Sequence, residues 1–182
     1  MGRAAIFIDA AYLDFMARAT SPGWQVDHQK LVEALTPIHA ELLRAYYYTS
    51  PPHVSAAPTA EERARQRAFG RYLQAITATP RLDVRLGATA RRVDATGAVR
   101  YQQKRVDLLL GVDMVRLATK RQISELHLVA GDSDFVPALE VAKEEGVVCV
   151  LHHGRDAHHQ LRSVADECHR IDAQFMERVR RN

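Results

Sequence analysis

LHLVAGDSDFVPALEVAKEEGVVCVL, from Leu126 to Leu151, is the stretch whose reading decides the fold. Leu126, Leu128, Val129 and Ala130 make a short apolar run that stops at Gly131, as a buried strand would. Asp132-Ser133-Asp134 then sets two carboxylates across one turn. Val136, Leu139, Val141 and Ala142 follow at helical spacing, Pro137 suits a first helical turn, and Gly146 stands where a C-cap glycine belongs. Val147 to Leu151 is a second apolar run. Together they predict a βαβ unit with its polar chemistry at the carboxyl end of the first strand, where open α/β sheets place their sites. Asp132 or Ser133 can cap the helix and Asp134 can sit against its dipole, so the turn alone does not separate capping from chemistry.

Upstream, KRVDLLLGVDMVRLATK (Lys104 to Lys120) predicts a helix with Leu108, Val112, Val115 and Leu117 as its apolar residues and Asp107 in its first turn. Ala88 to Gln103 reads as a β-hairpin or loop with Thr96-Gly97 near its turn. Thr59 to Glu62 resembles a capping box, opening a helix with Phe69, Leu73 and Ile76 as its stripe. Leu42 to Thr49 and Leu82 to Leu86 read as strands. Asp27 reads as the N-cap of a helix facing inward through Leu31, Val32, Leu35 and Ile38. The chain opens with a strand, Ala4 to Ile8, that ends at Asp9; a helix then runs to about Ala19 and a Ser21-Pro22-Gly23 loop follows. Past Leu151 come a His152 to Arg155 loop, a helix from Ala157 to Ala165, a short last strand or extended segment at Cys168 to Ile171, and a basic helix from Ala173 to Asn182. About five strands separated by helices predict an α/β fold with a doubly wound, mainly parallel sheet. A single domain over residues 1–182 is expected, with a basic hairpin or loop insertion near 87–103.

Composition narrows the function classes. A chain of 182 residues, 47% hydrophobic and 26% charged, is ordinary for a globular domain with a real core. It has no apolar run of spanning length and no signal-peptide pattern, so no membrane and a cytoplasmic location are expected. Ile6 breaks the myristoylation pattern after Gly2. Cys149 and Cys168 read as core thiols, and the lack of a CxxC pair excludes a zinc ribbon. The net charge of +3 hides an asymmetry. Thr59 to Arg105 holds eleven Lys/Arg against four Asp/Glu, while the remainder holds fourteen against eighteen. A basic segment beside an acidic site suits a polyanionic substrate, although charge runs also occur as merely solvated faces.

The carboxylates are the chemical signal. In a doubly wound sheet the ends of the first strand and of the strand closing at Ala130 flank one switch point, so Asp9 converges with Asp132 and Asp134, and Asp107 can face the same crevice. Clustered carboxylates raise one another's pKa unless a cation neutralises them. Hard divalent cations such as Mg2+ or Mn2+ take oxygen ligands and keep waters. Asp9, Asp107, Asp132 and Asp134 therefore suggest metal-assisted phosphoryl chemistry, with Ser133 holding a water or phosphate oxygen and Lys104 and Arg105 contacting phosphates. Asp113 lies six residues beyond Asp107, rotated about 120° around the helix, at the site's edge or in a structural bond.

FIDAAYL, KRVDLLLGVDM, VAGDSDFVPALEVAKEEG and LRSVADE resemble the successive motifs of the NYN domain, specifically its LabA-like branch, within the PIN-like nuclease superfamily. The resemblance runs from about Ala5 to Asp172. It implies a PIN-like, Rossmann-like three-layer α/β/α fold and a Mg2+- or Mn2+-dependent ribonuclease site on Asp9, Asp107, Asp132 and Asp134. RNA is the implied substrate. Two positions depart from the family pattern: Ala10 stands where Gly often follows the first Asp, and Tyr12 where Asn usually stands. Tyr12 can stack on a base or pack as a core residue at helical spacing.

Two other classes compete with a metal-dependent ribonuclease. One is a non-catalytic RNA-binding or regulatory protein on the same fold, which Tyr12 favours. The other is a phosphatase of small substrates, disfavoured because no second Asp stands two residues after Asp9. His152, His153, His158 and His159 read as solvated loop residues or phosphate contacts rather than a zinc site. Arg162 and Asp166 read as a structural pair or as the crevice border, and a homodimer is a possible assembly.

Overall fold

Strand β1 (Gly2–Asp9) is apolar from Ala4 to Ile8, and all five of those residues are buried, because the strand is covered on both faces. The computed structural model describes residues 2–20 and 23–181; Ser21 and Pro22 of the expected loop, and Met1 and Asn182 at the ends, lie outside them. After β1 come α1 (Ala10–Thr20), α2 (His28–Leu35), β2 (Ala40–Thr49), α3 (Ala60–Thr77) and β3 (Leu82–Leu86). The Asp27 carboxylate accepts from the Gln29 and Lys30 N–H groups to open α2, and the Thr59–Glu62 capping box opens α3. A hairpin of β4 (Ala88–Val93) and β5 (Val99–Lys104) leads into α4 (Val106–Thr119) and β6 (Glu125–Val129). A 3-10 turn, Ser133–Phe135, feeds α5 (Val136–Glu144), followed by β7 (Val148–His153), α6 (His159–Val164), β8 (Glu167–Arg170) and α7 (Ala173–Arg178).

Six strands form one sheet in the order β3-β2-β1-β6-β7-β8, with every neighbouring pair parallel. The order reverses between β1 and β6, which makes their shared carboxyl edge the topological switch point. Alternation along β1 feeds two cores. Ala5 and Phe7 pack with α4, α5 and α6 on one face, and Ile6 and Ile8 with α1, α2, α3 and α7 on the other. The fold is a three-layer α/β/α sandwich.

The structure corrects several expectations. The strand count is eight rather than about five, because the hairpin rather than a loop forms, as its own two-stranded sheet, and the last segment is the strand β8. Helix α4 starts at Val106, with Lys104 in β5. Its buried residues are Val106, Leu110, Asp113, Met114, Leu117 and Ala118, whereas Leu108 and Val112 are exposed. Ile38 lies past the end of α2 and is exposed. Cys149 is buried but Cys168 is exposed. His152 belongs to a strand and is buried: its Nε2 shares a 2.9 Å hydrogen bond with Nδ1 of His127, whose Nε2 lies 2.9 Å from Glu125. Burial and the neighbouring imidazoles push His152 down to about 3, so it stays neutral. Asp166 pairs with Lys143 at 2.9 Å, not with Arg162, and accepts from the Cys149 N–H.

Candidate functional site

Asp9 is the last residue of β1, and its Oδ1 accepts from the N–H groups of Ala11 at 2.9 Å and Tyr12 at 3.3 Å. It closes the first turn of α1 and is thereby held at the carboxyl edge. The register of β1 on β6 sets Ile8 beside Val129, so the chain leaving β6 runs beside Asp9. Asp132 caps the 3-10 turn, accepting from the Asp134 N–H at 3.1 Å. Capping and chemistry are thus compatible at Asp132, because a cap uses one carboxylate oxygen. Asp107 lies in the first turn of α4, which packs against both β1 and the 3-10 turn.

The electrostatics link all four acids. Burial raises Asp9 to about 6, against two helix N–H groups that lower it, and the charges of Asp107 and Asp132 raise it further. Asp107 is raised by burial first, then by Asp132 and Asp134. Among the described residues none of the four carboxylates has an ion-pair partner. After the larger effect of burial, neighbouring carboxylates without a cation between them raise one another's pKa, as they do here at Asp9 and Asp107. No three His, Cys, Asp or Glu side chains among the described residues are gathered tightly enough to ligate one ion between them. Ser133, half-buried, stands between the exposed Asp132 and Asp134.

Tyr12 crosses this edge. Its hydroxyl accepts from the Gly154 N–H at 2.9 Å, just past the end of β7, and its ring lies against Gly131, just past the end of β6. The phenol therefore ties α1 to the ends of two strands, and part of the ring is packed into the core.

The hairpin rises from the other side of the switch point. The Gly87 N–H donates to Thr49 O at 2.8 Å at the end of β2, and the Thr89 hydroxyl donates to Pro51 O at 2.6 Å. Cross-strand pairs Arg92–Arg100 and Ala90–Gln102 share a face with Ala88–Lys104, a basic strip that leads into Arg105. Arg105 is exposed and left-handed, with φ 69°, and turns the chain sharply into α4 two residues before Asp107. Asp113 is otherwise engaged. It is buried, accepts from the Tyr48 hydroxyl at 3.0 Å and lies 3.4 Å from Nε of Arg85, a structural network joining α4 to β2 and β3.

Sequence reasoning passes over Phe15, Arg155 and Arg170. They line a cavity of about 380 Å3 together with Tyr12, between α1, the loop after β7 and the end of β8. Arg155, two residues past the end of β7, is the one available signal. A larger cavity, about 520 Å3, lies elsewhere, lined by Trp24, His28, Tyr47 and Tyr72.

Comparison with known proteins agrees with this architecture. No curated protein matches the chain. Among solved structures, a protein of unknown function from Vibrio parahaemolyticus RIMD 2210633 superposes with a TM-score of 0.64 at 19% identity, covering 99% of this chain and 96% of that one. The likeness is one of fold. The sequence matches the NYN domain over residues 3–172, from β1 through the end of β8 and with all four acids inside the match, and the chain belongs to the NYN domain family of the PIN-like nuclease superfamily.

Proposed function

We propose that the protein is a divalent-metal-dependent ribonuclease, in the LabA-like branch of its family, with Asp9, Asp107, Asp132 and Asp134 as its metal-binding acids. The observation that carries this reading is placement: Asp9 ends β1 beside the turn after β6 that holds Asp132 and Asp134, α4, with Asp107 in its first turn, packs against both, and none of the four has an ion-pair partner among the described residues. A bound Mg2+ or Mn2+ would stabilise charge on the phosphodiester and ease ionisation of an attacking water. The protein's own part is placement. Oδ1 of Asp9 takes both helix N–H groups, leaving Oδ2 for the ion. With its pKa at about 6 in the ion-free protein, Asp9 is ionised at neutral pH and so able to ligate a cation. Ser133 offers a hydroxyl between the two turn acids, and Lys104, Arg105 and the basic strip hold the polyanion over the edge.

The test is cleavage of mixed single-stranded and structured RNAs, with Mn2+ and with chelator, by the wild type, Asp9→Asn and Asp132→Asn. Metal-dependent cleavage lost in both variants supports the reading. Cleavage that ignores metal or both substitutions overturns it. A second reading, RNA binding without turnover, is favoured by Tyr12, whose hydroxyl accepts from the Gly154 N–H and whose ring lies against Gly131. RNA binding without cleavage would select it.

A further inference from the structure

We infer that the cavity between α1, the loop after β7 and the end of β8 is a nucleobase subsite for single-stranded RNA: an unpaired base stacks on Phe15 while Arg155 and Arg170 hold its phosphate. This rests on the ribonuclease reading and adds to it a strand preference and a direction.

The place follows from topology. Helix α1 begins at the residue after Asp9, and Tyr12 and Phe15 lie one turn apart along it. Gly154 and Arg155 follow β7, and Arg170 ends β8. The sheet order puts the hairpin on the β2–β3 side of the acids and this cavity on the β7–β8 side. Two strand spacings, about 10 Å, separate the switch point from the β7–β8 gap. A strand guided in by the hairpin and crossing the acids reaches the cavity next.

The chemistry fits an unpaired base. Phe15 is 51% exposed although it is aromatic, and its ring is stacked on Tyr12 at 6.4 Å between centroids and 25° between planes. Tyr12 is itself pinned by the Gly154 N–H, so the platform is held before any ligand arrives. Bases of any sequence stack on such rings. The cavity, about 380 Å3, falls within the range of small-ligand pockets, and Met16, Ile171 and Met176 line its walls. Arg155 and Arg170 are exposed, and neither has an ion-pair partner among the described residues. Of the two acids in the lining, Asp172 is occupied as the cap of α7, accepting from the Phe175 N–H at 2.8 Å. A base inside a duplex is stacked on both faces and cannot enter, so single strands are selected.

The test is binding of a fluorescent single-stranded RNA and of an RNA duplex, by anisotropy in chelator, to the wild type, Phe15→Ala, Phe15→Trp and Arg155→Gln. Cleavage with Mn2+ is scored separately. Phe15→Ala is expected to weaken single-strand binding about tenfold while leaving duplex binding unchanged, with Phe15→Trp close to wild type. Arg155→Gln is expected to weaken single-strand binding and flatten its salt dependence. Single-strand binding by Phe15→Ala within about twofold of a wild type that binds and cleaves overturns the subsite and leaves the nuclease standing. Equal loss on single strand and duplex overturns it too. A wild type that neither binds nor cleaves RNA overturns the nuclease reading and the subsite together.

Discussion

Gly131 lies directly against the ring of Tyr12: a β-carbon on Gly131 would stand 2.3 Å from Tyr12 Cε2 and 2.7 Å from Cζ. The phenol can cross the strand ends only because residue 131 has no side chain. Gly131→Ala should therefore displace the ring, break its hydrogen bond to the Gly154 N–H and destabilise the fold by about 1–3 kcal/mol. Tyr12→Phe should keep the ring and lose about 1 kcal/mol, the worth of the hydrogen bond. Urea unfolding of both variants checks the order, with Gly131→Ala the less stable.

Asp9 sets a pH window. Its folded pKa, about 6, lies above the ordinary value of 3.8, so folding takes up a proton between those two values. Stability from this group falls as pH rises through that window and levels off above it. Asp9→Asn should be more stable than wild type at pH about 7.5 by on the order of 1–3 kcal/mol, and the gap should close below pH about 4. Thermal melts across that range measure it. In the same window, divalent-ion affinity of the wild type should fall as pH drops through about 6, because the protonated carboxyl no longer ligates.

The basic strip of the hairpin predicts a salt signature. Arg92→Gln combined with Lys104→Gln removes two phosphate contacts and should reduce the slope of log affinity against log salt by about 1.4 for single-stranded RNA. Binding titrations at several salt concentrations read the slope. The loss should be the same for different RNA sequences, since phosphate contacts carry no base information.

Gly87 is a second point of close approach. A β-carbon there would meet Lys104 O and Val106 Cγ2, both at 2.6 Å. Gly87→Ala should push the start of α4 outward and take Asp107 with it. Stability should drop by about 1–3 kcal/mol, and divalent-ion affinity should fall although residue 87 bears no ligand. Calorimetric ion titration of the folded variant separates the two effects.

The legible parts of the molecule are those where one short stretch dictates its own environment. A parallel strand buried on both faces needs only an apolar run, and Leu126, Leu128, Val129 and Ala130, all four buried, place the acidic turn at a sheet edge. Asp9 is legible for the same reason, as the polar residue that ends a buried strand. Helix α4 is not. VDLLLGVDMVRLAT is apolar on every side, so periodicity cannot choose which leucines face inward, and packing against α5 and the sheet selects Leu110 over Leu108. The burial of His152 is hidden in the sequence because an imidazole goes inside only with a partner, and His127 stands 25 residues away. Phe15, Arg155 and Arg170 come from three parts of the chain that meet only once β1, β7 and β8 are ordered in the sheet.

Whether Asp9, Asp107, Asp132 and Asp134 act as one divalent-cation site is tested most directly by Mn2+ titration followed by electron paramagnetic resonance. The proteins to compare are the wild type, Asp9→Asn, Asp107→Asn and Asp132→Asn. The folded wild type should bind Mn2+ saturably, with affinity weakened about tenfold or more in each variant and with Mg2+ competing. Mn2+ binding unchanged in all three variants, or absent from the folded wild type at neutral pH, would contradict a shared site.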